Sequence, residues 1–198
     1  MRNELRDCIK DREVYSFKDL EGLKKIIENE SGNYYFTFKK WRDFQGAEEM
    51  ASVCAKCQLN NYEINTHPAF YTGIAKKSLY DRIQQHYIKR TSTSTLRRGL
   101  SVLLEQSIGT KLRVYDIKGK GEKYTLEKEI EEKLDMWMKE NAIFYYQLSK
   151  EYDDKEKEII KKYKFPMNIQ HNNKCCYEIY KIIRDEALNE AENLSPVS

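Results

Sequence analysis

Apolar positions along this chain follow two habits: stripes spaced three and four residues apart, and short dense runs of aromatic and β-branched residues. The first marks amphipathic helices and the second marks strands. Residues 1–30 read as two helical pieces, the second from Phe17 to Asn29 with Leu20, Leu23, Ile26 and Ile27 on one side. Ser31-Gly32 breaks that pattern, and residues 33–39, NYYFTFK, form the first predicted strand. Residues 40–67 follow as an insertion, part helical around Ala47 to Cys57 and irregular from Asn60 to Thr66. A second strand is predicted near 69–73, running into Gly73. Ser78 then opens a helix with Asp81 three residues on, close to a capping box, and a loop and a further helix carry the pattern to Leu104. Leu112, Val114 and Tyr115 suggest an extended strand that reaches a turn at Gly119 to Gly121. Ile130, Leu134, Trp137 and Met138 mark a helix from about Leu126 to Glu140, and AIFYYQLS from Ala142 is the third strand, near 142–148. A charged helix from Glu156 to Tyr163 stops before Pro166, and Lys174 to Asn193 is a last amphipathic helix with Tyr177, Tyr180, Ile183 and Ala187 inward, ahead of an SPVS tail.

The 198 residues suffice to bury a core without disulfides or metal. No internal repeat or low-complexity linker divides them, so one domain over 1–198 is expected. No apolar run approaches the roughly 18 residues of a membrane span, and the polar N-terminus lacks the apolar stretch of a signal peptide; a cytoplasmic protein is the expectation. Five cysteines without an export signal suggest reduced thiols. Cys54-x-x-Cys57 is half of a zinc signature, but the adjacent pair Cys175-Cys176 makes an awkward second half, so packing of the insertion by small apolar residues is the plainer reading.

Charge alters the picture more. The net +3 hides an asymmetry: from Lys76 to Lys123 there are twelve Lys or Arg against four acids. Such a segment is the electrostatic footprint of a phosphate-backbone partner, the alternative being a solvated lysine-rich face. Lys76, Lys77, Lys89, Arg90, Arg97 and Arg98 are the candidate nucleic-acid contacts. At the start of this segment, Leu79, Ile83 and Tyr87 form one helical stripe and Ser78, Arg82 and His86 a second. An arginine and a histidine thus share one face a single turn apart, near the end of a strand. Alone, each has an ordinary explanation as a solvated or packed residue.

Taken in order, however, these features resemble the GIY-YIG nuclease superfamily. Gly32-Asn33-Tyr34 stands where that family has Gly-Ile-Tyr, and Tyr71-Thr72-Gly73 where it has Tyr-Ile-Gly. Arg82 fits the helix arginine, His86 the polar residue one turn later, Glu156 the single metal-binding carboxylate and Asn168 the late asparagine. The TSTLRRGLSVLL run, the Trp137-Met138 pair with Glu140-Asn141, and Pro-x-Asn-Ile-Gln-His-Asn look like one bacterial branch. The resemblance covers about Ser31 to Asn173, leaving 1–30 and 174–198 as helical extensions. Asn33 and Thr72 replace aliphatic residues of the family pattern, and 37 positions separate Tyr34 from Tyr71 where the family has a short hairpin. That separation leaves open whether Tyr34 or Tyr35 faces the site, since neighbours on a strand point oppositely.

The resemblance implies an α/β fold with a small, mainly antiparallel three-stranded sheet flanked by helices. It also implies a metal-dependent endonuclease acting on nucleic acid, DNA in preference to RNA, with a homodimer left open. Tyr34 would take the proton from water, helped by nearby cations such as Lys76 or Lys77 or by relay to His86. Tyr71 would bond the phosphate or orient the water, Arg82 would bind nonbridging oxygens, Glu156 would hold one Mg²⁺ or Mn²⁺, and Asn168 would brace the site. Glu158 is a substitute for Glu156 on sequence grounds. The competing class is a noncatalytic nucleic-acid-binding or protein-interaction module on the same fold.

Overall fold

Seven consecutive buried residues, Gly32–Phe38, form the middle of the sheet, as expected of a strand covered on both faces. The structure, a computed structural model, describes residues 14–50, 63–64, 67–88, 90–117, 121–150, 153–163, 165–172 and 174–194. In chain order its elements are β1 (Tyr15–Ser16), α1 (Leu20–Ile27), β2 (Gly32–Phe38), β3 (Glu63–Ile64), β4 (His67–Pro68), β5 (Tyr71–Ala75), α2 (Leu79–Ile88), α3 (Thr95–Leu103), α4 (Glu105–Ile108), β6 (Arg113–Ile117), β7 (Gly121–Thr125), α5 (Lys128–Asn141), β8 (Ala142–Leu148), α6 (Asp153–Tyr163) and α7 (Lys174–Glu192). None of these helices is long and apolar enough to cross a membrane.

The main sheet is antiparallel with strand order β1-β8-β2-β5. In its register Tyr34 sits opposite Gly73 on one side and Tyr146 on the other. Tyr34, Phe36 and Phe38 point into the larger core with Leu79, Ile83, Tyr87, Leu134, Trp137 and Met138. Tyr35 points the other way, into a smaller cluster with Tyr145, Ile160 and Phe165. Period-two alternation thus puts consecutive tyrosines in different cores, and it is Tyr34 that faces α2.

The antiparallel α/β architecture matches expectation, with four strands in place of three. The added edge strand, β1, is two residues long, too short to leave a pattern. The second strand runs over 71–75 where 69–73 was expected, because Ala69 and Phe70 are held as core residues before pairing begins. The helix expected from Phe17 opens as a 3₁₀ turn, Phe17–Asp19, and Ile26, expected inward, is exposed. The strand expected around Val114 pairs with β7 as a separate hairpin.

The insertion begins as core. Trp41, Phe44, Ala47 and Met50 are buried, and Phe44 packs edge-on or tilted against Phe38, Phe70 and Trp137 with ring centroids 5.2–5.8 Å apart. The first helical piece, Cys54-x-x-Cys57, the turn at 118–120 and the SPVS tail lie outside the described residues, as do the side chains of Cys175 and Cys176.

Candidate active site

Helix α2 aims two side chains at one phenol. The Ser78 hydroxyl caps it by accepting the Asp81 N–H at 3.0 Å, and Leu79, Ile83 and Tyr87 bind its other stripe to the core. Arg82 Nε donates to the Tyr34 hydroxyl at 3.2 Å, and His86 Nε2 lies 2.9 Å from the same oxygen. Arg82 also donates from Nη1 to Gln85 Oε1 at 3.0 Å, which fixes the plane of its guanidinium. On the far side of the imidazole, Nδ1 is 2.8 Å from Ser94 Oγ. Gly73 makes room for this arrangement, since a Cβ there would collide with the Tyr34 hydroxyl.

Tyr71, on the neighbouring strand, brings its ring centroid within 6.4 Å of Tyr34 and 5.8 Å of His86. Asn168 closes the outer edge of this strand. Its Oδ1 accepts the Thr72 N–H and its Nδ2 donates to the Thr72 carbonyl, both at 2.9 Å, while the Met167 N–H donates to the Phe70 carbonyl at 3.0 Å. A side-chain amide thereby does the work of another strand on an exposed ladder.

A cleft of about 420 Å³ opens beside these groups, walled by Tyr71, Arg98, Glu156, Asn168, Tyr180 and Arg184 among others. Glu156 is half-buried on its wall, whereas Glu158 is exposed and takes no part in it. Tyr34 is wholly buried, whereas Tyr71 lines the cleft, as do the phenols of Tyr124 and Tyr180. The sequence reading missed Tyr180 and Arg184. Tyr180 was legible only as an inward helix position, with Arg184 four residues on along the same stripe.

Burial, reinforced by the neighbouring Tyr71 and partly offset by Arg82, pushes the Tyr34 phenol well above its usual range. Burial also raises Tyr71, with Arg82 and a hydrogen bond from Tyr34 pulling it down. For Arg82, burial works against the cation, but the two phenols and Glu156 outweigh it and the pKa rises. His86 is held neutral: burial first, then Arg82 and Arg97, depress it well below the ordinary imidazole value. The cation that acts on Tyr34 is therefore Arg82, while Lys76 and Lys77 are exposed.

The adjacent arginines of α3 part company. Arg97 is fully buried, donates to Glu131 at 2.7 Å and to the carbonyls of His86 and Tyr87, and pairs with Asp135 at 2.6 Å without hydrogen-bond alignment. The expectation that it contacts nucleic acid is corrected: its charge is spent inside the fold. Arg98, one position around the helix, faces the cleft and has no ion-pair partner among the described residues. Arg90 is exposed, and Lys89 lies outside the described residues.

No cluster of three or more His, Cys, Asp or Glu suited to a metal occurs among the described residues. A family model described as the GIY-YIG catalytic domain matches residues 32–187. No curated protein and no solved structure matches the chain.

Proposed function

The chain belongs to the GIY-YIG catalytic-domain family, and we propose that it is a metal-dependent endonuclease hydrolysing phosphodiester bonds, DNA in preference to RNA. Family membership carries the nuclease-type chemistry. The observation that supports the finer reading is the convergence of Arg82 and His86 on Tyr34, beside Tyr71, at a cleft that also holds Glu156.

Glu156 fits a single Mg²⁺ or Mn²⁺. It is one hard oxygen donor on a cleft wall, with no carboxylate cage around it among the described residues, the setting in which such ions keep several waters and share phosphate oxygens. Bound there, the ion supplies positive charge to the phosphate and the leaving oxygen.

The remaining work falls to the chain. Tyr71 meets water or phosphate at the cleft surface, and Tyr34, in its ionised form, is the acceptor for the proton that Tyr71 releases inward as it takes one from water. Arg82 stays charged at every working pH and offers its remaining donors to nonbridging oxygens, while its Nε–H favours negative charge on Tyr34. Asn168 holds the Tyr71 strand in place through Thr72. Arg98, facing the cleft, binds backbone phosphate, and the exposed Lys76, Lys77 and Arg90 extend that contact.

Plasmid nicking tests the reading. The parent should cut in Mg²⁺ and stop in EDTA, and Glu156→Gln should bind the plasmid with near-parental affinity without cutting it. Parental cleavage by Glu156→Gln in Mg²⁺ would refute the assignment, and tight binding without any cleavage by the parent would favour a noncatalytic module.

A further inference from the structure

Ser94 is wholly buried at the start of α3. Its Oγ accepts the backbone N–H of Arg97 at 3.2 Å, capping the helix, and lies 2.8 Å from His86 Nδ1. A hydroxyl carries one proton, and a buried one needs an acceptor for it. Arg97 N–H is a donor, so His86 Nδ1 is the acceptor within reach of Ser94 among the described residues.

We propose that Ser94 is a positioning residue for hydrolysis: its hydroxyl donates to His86 Nδ1, holds the imidazole as the Nε2–H tautomer, and makes His86 a hydrogen-bond donor aimed at Tyr34. The opposite tautomer would place a proton on Nδ1 facing Ser94 and strand the serine's own proton without an acceptor. The depressed basicity of the imidazole agrees, since a doubly protonated ring would leave Ser94 in the same position.

The consequence lies at Tyr34. Its oxygen receives two donors, Arg82 Nε–H at 3.2 Å and His86 Nε2–H at 2.9 Å, which occupy both lone pairs. Its own proton is left to Tyr71, which lines the cleft. Two fixed donors favour negative charge on that oxygen. His86 therefore stabilises the phenol and takes no proton from it, in place of the relay to His86 expected from the sequence.

The loop that carries Ser94 is itself anchored. Glu131 on α5 accepts the Thr91 N–H at 2.7 Å, the Thr91 hydroxyl at 3.0 Å and Arg97 Nη2 at 2.7 Å. Arg97 in turn donates to the His86 carbonyl at 3.3 Å. Helix α2, the Ser94 loop and α3 are thus locked to one another around the imidazole.

The role of Ser94 in catalysis rests on the proposed nuclease reading, but the tautomer does not, so the test measures both. The chain has three histidines, and long-range ¹⁵N–¹H NMR of the labelled full chain at neutral pH, assigned with His67→Gln and His171→Gln proteins, reports the protonated nitrogen of His86 directly. A protonated Nε2 with a bare Nδ1 is expected, and a protonated Nδ1 overturns the proposal whether or not the protein cuts DNA. Ser94→Asp then inverts the geometry, because a carboxylate still caps α3 but can only accept, forcing a proton onto Nδ1. We expect that variant to show the Nδ1 proton and to lose roughly 10²-fold in kcat with little change in KM. Parental kcat with the Nδ1 proton in place would remove the catalytic role, whereas a parent with the Nε2–H tautomer and no cleavage would fail the nuclease reading alone.

Discussion

Gly73 has no side chain where Tyr34 needs the space. The two residues face each other across the β2–β5 ladder, and the Tyr34 hydroxyl passes directly over the glycine toward α2. Gly73→Ala should push the phenol away from Arg82 and His86, lowering cleavage at least 10²-fold, the scale on which a lost transition-state donor acts. Circular dichroism should still report the parental fold. The neutral state of His86 has a consequence for stability. Its folded pKa lies well below the ordinary value, so below about pH 6.5 the unfolded chain binds a proton that the folded chain refuses. Stability is fully present above about pH 6.5 and falls as the pH drops from there toward that depressed value. The depressed carboxyls of Asp19 and Asp185 lose their contributions only below about pH 4. Melts recorded at pH 7.5 and 5.5 should therefore separate in the parent and converge in His86→Gln.

Helix α3 shows how one element serves two ends. Arg97 looks inward at Glu131 and Asp135, while Arg98 faces the cleft. Arg97→Ala should cost about 3–5 kcal/mol in unfolding free energy, because it empties a buried site and strands the partly buried carboxylates of Glu131 and Asp135. Arg98→Ala should melt like the parent, weaken nucleic-acid binding across sequences and reduce the salt slope of log K by about one. Parental affinity and salt slope for Arg98→Ala would remove that residue from the binding surface. At this scale the sequence was readable where side chains obey a period. The Ser78–Arg82–His86 stripe and the dense aromatic run of β2 both appear where periodicity put them. It was silent where the deciding partner is distant. Nothing local distinguishes Arg97 from Arg98, because the carboxylates that bury the first lie more than thirty positions downstream. Likewise a two-residue strand such as β1 has no pattern to read, and Tyr180 and Arg184 join the cleft only once α7 packs against α3.

For the molecule as a whole, the segment between β2 and β5 is more than a decoration at the mouth of the site. Sequence reading cast residues 40–67 as an insertion, but Trp41, Phe44, Ala47 and Met50 belong to the main core. Phe44→Ala should destabilise the protein by about 3–5 kcal/mol, as other buried phenylalanines do, and denaturant titration should register it as a lowered midpoint with an unchanged slope. The strand order β1-β8-β2-β5 carries a further consequence. The central strand precedes the insertion, whereas both of its neighbours follow it. If the chain were made as two polypeptides, divided between Met50 and Glu63, the first would hold Tyr34 and the second Tyr71, Arg82, His86 and Glu156. Neither half owns a complete ladder of the main sheet or a complete site, so hydrolysis would return only when the short half slots its strand between β8 and β5. Divided in this way, the chain would serve as a two-part reporter, the return of the proposed cutting reading out the meeting of its halves.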